Sequence, residues 1–221
     1  MERQLEQDLE HLKAVLQRMA AFVESSVADA LGSLLDRSAE RSAVVLQGDG
    51  QIDSLELEID NLVLDLLALR QPVASDLRFI LAAQKINNDL ERIGDHAVNV
   101  AQSARASAGR AERRDLLDLP AMTEIAKSML RDALRSFFEL DPTLARSVIL
   151  EDDRMDERNR TLCSRVIEMI REDHAALEWG LDLIRVSRNL ERISDLATNI
   201  AEEAIFLTQA RLVKHHGGQT L

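Results

Sequence analysis

The sequence predicts an all-α protein made of two tandem, pseudo-symmetric three-helix bundles, six long helices in all. Three observations predict it. Helix breakers are scarce: 221 residues hold eight glycines, three prolines and no tyrosine, with 46% hydrophobic and 30% charged residues, a composition that favours helices over sheets. Apolar residues recur at alternating intervals of three and four, the seam of an amphipathic helix. The second half also repeats the first. Leu90 to Ala101 reads LERIGDHAVNVA, and Leu190 to Ala201 reads LERISDLATNIA.

The first helix carries Leu5, Leu9, Leu12, Leu16, Met19 and Val23 on one side, and continues to a break near Asp36 to Ser38. A second begins around Ala39, with Val45, Ile52, Leu55, Ile59, Leu62 and Leu66 along its buried stripe. It ends by Arg70, because Pro72 excludes helical backbone at the residue before it. Ser75 and Asp76 are candidate N-caps for a third helix reaching Ser107. Ala106 to Pro120, with Gly109, a charge run and a proline, reads as a linker. The fourth helix runs from about Ala121 to Leu140, and Asp141-Pro142 opens the fifth. Asp173 divides the fifth from the sixth, which extends to about Val213. The division is therefore 1–107 and 121–213 for the bundles, 108–120 for the linker and 214–221 for a disordered tail. Asp29-Ala30-Leu31, Ser33, Asp49 and Asp53 recur 103 residues later, whereas the LER motifs are 100 apart. The second repeat thus loses three residues near the Gln71-Pro72 turn.

A formal charge of −12 excludes nucleic acid as the main partner, since phosphate contacts need a basic face. It suits cations or a basic protein surface. The lone Cys163 rules out an internal disulfide and a cysteine-rich zinc site. No apolar run approaches the roughly 18 residues of a membrane span, and the charged MERQLEQDLEHLK start is unlike a signal peptide. A soluble, cytoplasmic chain is expected.

The chemistry sits in acids. Asp49, Asp53, Glu56 and Asp60 follow i, i+4, i+7, i+11, within about 60° of helical arc. Glu91 and Asp95 pair at i, i+4 on the third helix, as do Glu191 and Asp195 on the sixth. Such like-charged pairs cost a few tenths of a kcal/mol each, so they call for compensation. One reading pairs them with Arg78, Lys85 or Arg92. The other places a cation where two acidic stripes meet across a helix–helix groove, and oxygen-rich sets suit Mg, Mn, Ca or Fe. In the second half the stripe is Asp152, Asp156, Asn159 and Cys163, which is less negative, and Cys163 is expected to pack as a small buried residue. Gly94, in mid-helix, implies either close helix approach or room beside a ligand. No histidine follows a glutamate by three residues, and no Gly-rich phosphate loop is present. His96 is expected to bridge helices, and no enzyme is expected.

QPVASDLR from Gln71, DLERIGDH from Asp89, the second LER motif, and the acid pairs Asp49/Asp53 and Asp152/Asp156 resemble the PhoU family of phosphate-transport regulators. The resemblance spans about Leu5 to Thr208. It implies two three-helix bundles and, at Asp49/Asp53, Glu91/Asp95, Asp152/Asp156 and Glu191/Asp195, multinuclear iron or zinc clusters. It implies a cytoplasmic negative regulator of phosphate uptake that is peripheral to the membrane through two partners, the transporter ATPase and the phosphate sensor histidine kinase. A homodimer is expected. Ser194 and Leu196 replace the family's usual Gly and His, which weakens the second metal site. A carboxylate-bundle metal-binding protein or metalloenzyme is the competing function, and a purely structural adaptor the third.

Overall fold

The computed structural model describes residues 2–107 and 117–209. Within them lie six long helices: α1 (Glu2–Asp36), α2 (Ala39–Arg70), α3 (Ala74–Ser107), α4 (Leu119–Glu139), α5 (Pro142–Glu172) and α6 (Leu177–Gln209). No strand occurs among the described residues. α1, α2 and α3 pack on one another, as do α4, α5 and α6; α3 lies along α6, and α1 touches α4. The result is two three-helix bundles joined side by side.

Local chemistry sets the corners. α1 stops where Arg37 takes a left-handed φ of 54°, and the Ser38 N–H donates to the Ser33 carbonyl at 3.1 Å, closing a Schellman-type end. Ser38 then caps α2, its Oγ accepting from the Arg41 N–H at 3.3 Å. The second repeat copies this corner. Leu140 is left-handed at φ 55°, and the Asp141 N–H donates to the Ser136 carbonyl at 2.9 Å. The repeated serines do the same work: Ser33 Oγ donates to Ala30 O and Ser136 Oγ to Ala133 O, both at 2.7 Å.

Two sequence expectations are corrected. Ser75 and Asp76 are not N-caps but lie inside the first turn of α3, which begins at Ala74; Ser75 Oγ donates instead to Asp76 Oδ1 at 3.4 Å. α4 starts at Leu119, so Pro120 belongs to its first turn rather than to the linker, where a missing N–H leaves no helical bond unmade. Of the three prolines only Pro72 stands in a connector, since Pro142 is also in a first turn. Linker residues 108–116, the predicted helical residues 210–213 and the tail lie outside the described residues.

The predicted stripes form one core. Leu12, Leu16, Met19 and Val23 are buried from α1, and Val45, Ile52, Leu55, Ile59 and Leu66 from α2. Leu5, Leu9 and Leu62 pack on its margin. Equivalence is kept position by position. Val45/Val148, Ile52/Met155 and Ile59/Leu162 are buried at one offset, Leu90/Leu190, Ile93/Ile193 and Ala97/Ala197 at the other. The offset therefore changes in the turn between the second and third helix of each repeat. There the first repeat uses Gln71–Val73 and the second a 3-10 turn over His174–Ala176.

Candidate metal centre

The two LER motifs, distant in sequence, lie beside each other in opposite directions where α3 meets α6. His96 Nδ1–H donates to Asn189 Oδ1 at 2.9 Å, the interhelical role expected of it. Asn199 Nδ2 donates to Asp89 Oδ1 at 3.5 Å, and Lys85 Nζ meets Glu203 Oε1 at 2.5 Å. The motif's other face, with Glu91 and Asp95, turns to α2.

On that side the acids of α2 and α3 share one electrostatic neighbourhood. Burial raises the Asp49 carboxyl above its ordinary value, and the charges of Asp53 and of Asp95 on α3 raise it further. Glu56 is raised by burial, then by Asp60, Asp53 and Asp95. Glu91 is raised by burial, then by Asp95, Glu56 and Asp53, with Arg92 offsetting part. Each carboxylate makes the next harder to ionise, as facing acids should. Two of the three basic residues that could neutralise them are drawn to other acids. Arg92 reaches Asp89 at 4.0 Å, and Lys85 holds Glu203. Among the described residues none donates a hydrogen bond to the side chains of Asp49, Asp53, Glu56, Glu91 or Asp95. Asp60 differs: Gln84 Nε2 and Asn87 Nδ2 donate to its Oδ1 at 2.8 and 2.9 Å. The buried Asn87 also donates to the Glu56 carbonyl at 3.1 Å, so Asp60 and Asn87 fasten α2 to α3. Gly94 serves close approach, because a Cβ there would stand 2.9 Å from Ile52 Cδ1 of α2.

The second bundle is built differently. Burial raises Glu191, with Asp195 and Asp156 adding and Arg192 and Arg188 offsetting. Asp195 is raised by burial against the opposing pull of Arg192, with Asp156 adding. Arg192 Nη1 bonds Asp195 Oδ2 at 2.9 Å, so this acid has the cation that Asp95 lacks. Asn159 accepts from Ser187 Oγ at 2.9 Å and from Cys163 Sγ at 3.8 Å. Cys163 is half-buried rather than buried, with its thiol toward that amide. Asp152 is half-buried on α5 one turn before Asp156.

Among the described residues, no three His, Cys, Asp or Glu side chains stand close enough together to hold a metal ion. The first bundle thus presents an acidic groove rather than an enclosed centre. Its donor set is carboxylate, mutually repelling and only partly offset by Arg92, and this fits a hard cation in chemistry. The second fits less well, since Arg192 already supplies positive charge. Sequence reasoning missed Asp89. Its signal was present in the LER stretch itself, where Asp89 and Asn189 precede equivalent leucines, one an acid and one an amide.

The fold and groove define a class: tandem three-helix-bundle proteins with an acidic motif on the third helix of each repeat. The chain belongs to the PhoU family, whose PhoU domain matches residues 16–104 and again 119–204. A phosphate-specific transport system accessory protein PhoU homolog of Aquifex aeolicus is 36% identical over 208 residues, 94% of each chain. One of Pseudomonas aeruginosa is 36% identical over 216 residues, 97% of this chain and 89% of that one. The crystal structure of PhoU from Pseudomonas aeruginosa superposes with a TM-score of 0.91 at 35% identity, covering 93% of this chain and 99% of that one. The phosphate transport system regulatory protein PhoU from Streptococcus pneumoniae gives 0.88 at 25% identity, over 96% and 100% of the chains. These relatives carry the names of accessory and regulatory proteins rather than of enzymes. No helix among the described residues is long and apolar enough to cross a membrane.

Proposed function

We propose that this chain restrains phosphate uptake and the phosphate-starvation response from the cytoplasm, by contacts with a phosphate-transporter ATPase and a sensor histidine kinase. The observation that carries the reading is similarity along nearly the whole chain to accessory proteins of phosphate-specific transport. The chain acts without turnover and as a homodimer. Its long charged helix faces suit selective, polar encounter with partners.

In the same reading, Asp49, Asp53, Glu56, Glu91 and Asp95 would hold a cation, iron or zinc by family resemblance, once their side chains turn toward one another, since no three among the described residues stand close enough. Bound there, a cation supplies the positive charge that the groove lacks. Without it, the five carboxylates repel one another and oppose the approach of α2 to α3. Asp152, Asp156, Glu191 and Asp195 form a weaker second site.

Deleting the gene in its host and measuring phosphate-responsive transcription in phosphate-rich medium tests the reading. Transcription should rise without starvation and return to its restrained level when the intact chain is restored. An unchanged response, with metal-dependent turnover by the purified protein, would replace it with the metalloenzyme.

A further inference from the structure

The two LER motifs hold the same arginine and send it opposite ways. Arg92 points back along α3, its Nη1 4.0 Å from Asp89 Oδ1, whereas Arg192 points forward along α6, its Nη1 2.9 Å from Asp195 Oδ2. Each arginine thus chooses between the residue three before it and the residue three after it, both within reach on a helix surface. The forward choices are equivalent acids, Asp95 and Asp195; the backward ones are an acid, Asp89, and an amide, Asn189. The Asp89 side chain is 13% exposed, sheltered by α6, while Asp95 is exposed. A charge sheltered from water is screened less and draws a guanidinium more strongly. Asn189 has no charge to offer, and both ends of its amide are engaged. Its Nδ2 donates to the Arg185 carbonyl at 2.8 Å, and its Oδ1 accepts from His96 at 2.9 Å.

We infer that the residue three before the motif arginine sets that arginine's direction, and so decides which acidic groove is left open to a cation. The acid Asp89 draws Arg92 away from Asp95 and leaves the groove between α2 and α3 the more negative. The amide Asn189 releases Arg192 onto Asp195, where the guanidinium supplies the charge that a bound cation would bring. Arg188, standing where the first repeat has Asn88, adds positive charge near enough to Glu191 to lower its carboxyl. Asp89 faces α6 and Asn189 faces α3, so both are positioning residues that act through their arginines rather than ligands. The inference rests on the proposed function for the existence of a cation, not for the arginine's direction.

The test uses the full chain carrying Glu91→Ala and Asp95→Ala, so that the second groove is the one measured, with zinc ion titrated by calorimetry. Asn189→Asp should tighten zinc binding about tenfold, the order expected when one neighbouring cation turns away. Arg192→Gln should do the same. The two together should gain less than about twofold over either alone, because both remove one guanidinium from Asp195. Equal gains from Asn189→Asp with and without Arg192→Gln would overturn the proposal, since the new carboxylate would then act by its own charge. So would a crystal structure of the metal-free Asn189→Asp chain in which Arg192 still pairs with Asp195. Arg192 turned to the new carboxylate, in a chain that takes up no zinc, would uphold the arginine's direction and overturn its consequence for a cation. Failure of the inference is thereby separable from failure of the cation reading.

Discussion

Replacing Asp89 by Asn should flatten part of the protein's stability–pH curve. Asp89 belongs to α3 but is buried against α6, its side chain 13% exposed. Burial pushes its carboxyl from 3.8 up to about 6; Asn199, Arg92 and Lys85 pull it back in part, and Glu203 pushes it further up. The folded state therefore binds this proton more tightly than the unfolded chain does. Between pH 3.8 and about 6 stability falls as pH rises, and above the folded value the penalty is complete. A displacement of about two units, at about 1.36 kcal/mol each, makes the full penalty about 3 kcal/mol. About 2 kcal/mol of it develops between pH 4.5 and 8.

Asparagine is close in shape, can still accept from Asn199 Nδ2, and is the residue at the equivalent position 189. Urea denaturation followed by circular dichroism, on wild type and Asp89→Asn across that range, isolates the effect because all other titrating groups are shared. The stability of the variant relative to wild type should improve by about 2 kcal/mol from pH 4.5 to 8. A difference independent of pH would refute the argument. It would mean that α3 and α6 leave Asp89 hydrated.

Three further outcomes follow from named contacts. Phe137 is 1% exposed and contacts the rings of Phe79 and Phe138 at centroid distances of 6.3 and 5.3 Å; Phe137→Ala should cost about 3–5 kcal/mol by the same denaturation assay. Asp141 Oδ1 accepts from the N–H groups of Thr143 and Leu144 at 2.9 and 3.1 Å, so Asp141→Ala should cost about 1 kcal/mol and lower the melting temperature. Elemental analysis after mild chelation should find less bound metal in the variant with both Glu91→Ala and Asp95→Ala than in that with both Glu191→Ala and Asp195→Ala. Equal, negligible metal in wild type and both variants would favour a solvated acidic face.

The helices were legible in the sequence because apolar spacing and scarce breakers are local properties. The buried stripes of α1 and α2 are the ones the four-and-three spacing marks, and the breaks at Asp36–Ser38, Gln71–Pro72 and Asp141 fall at observed corners. The repeat was also legible, since duplication preserves which positions pack. The start of α4 was not, because Pro120 permits a linker and a first helical turn alike; what settled it was the packing of Leu119 in the core. The acids could be grouped by face, but periodicity is silent on which residue of another helix stands opposite. Only the tertiary structure decided that Asp60 is held by Gln84 and Asn87, that Arg192 pairs with Asp195 while Arg92 turns to Asp89, and that Gly94 admits Ile52. The charge of Asp89 is determined by sequence; its raised proton affinity is not. That needs α6 to bury it, from a segment more than one hundred residues away.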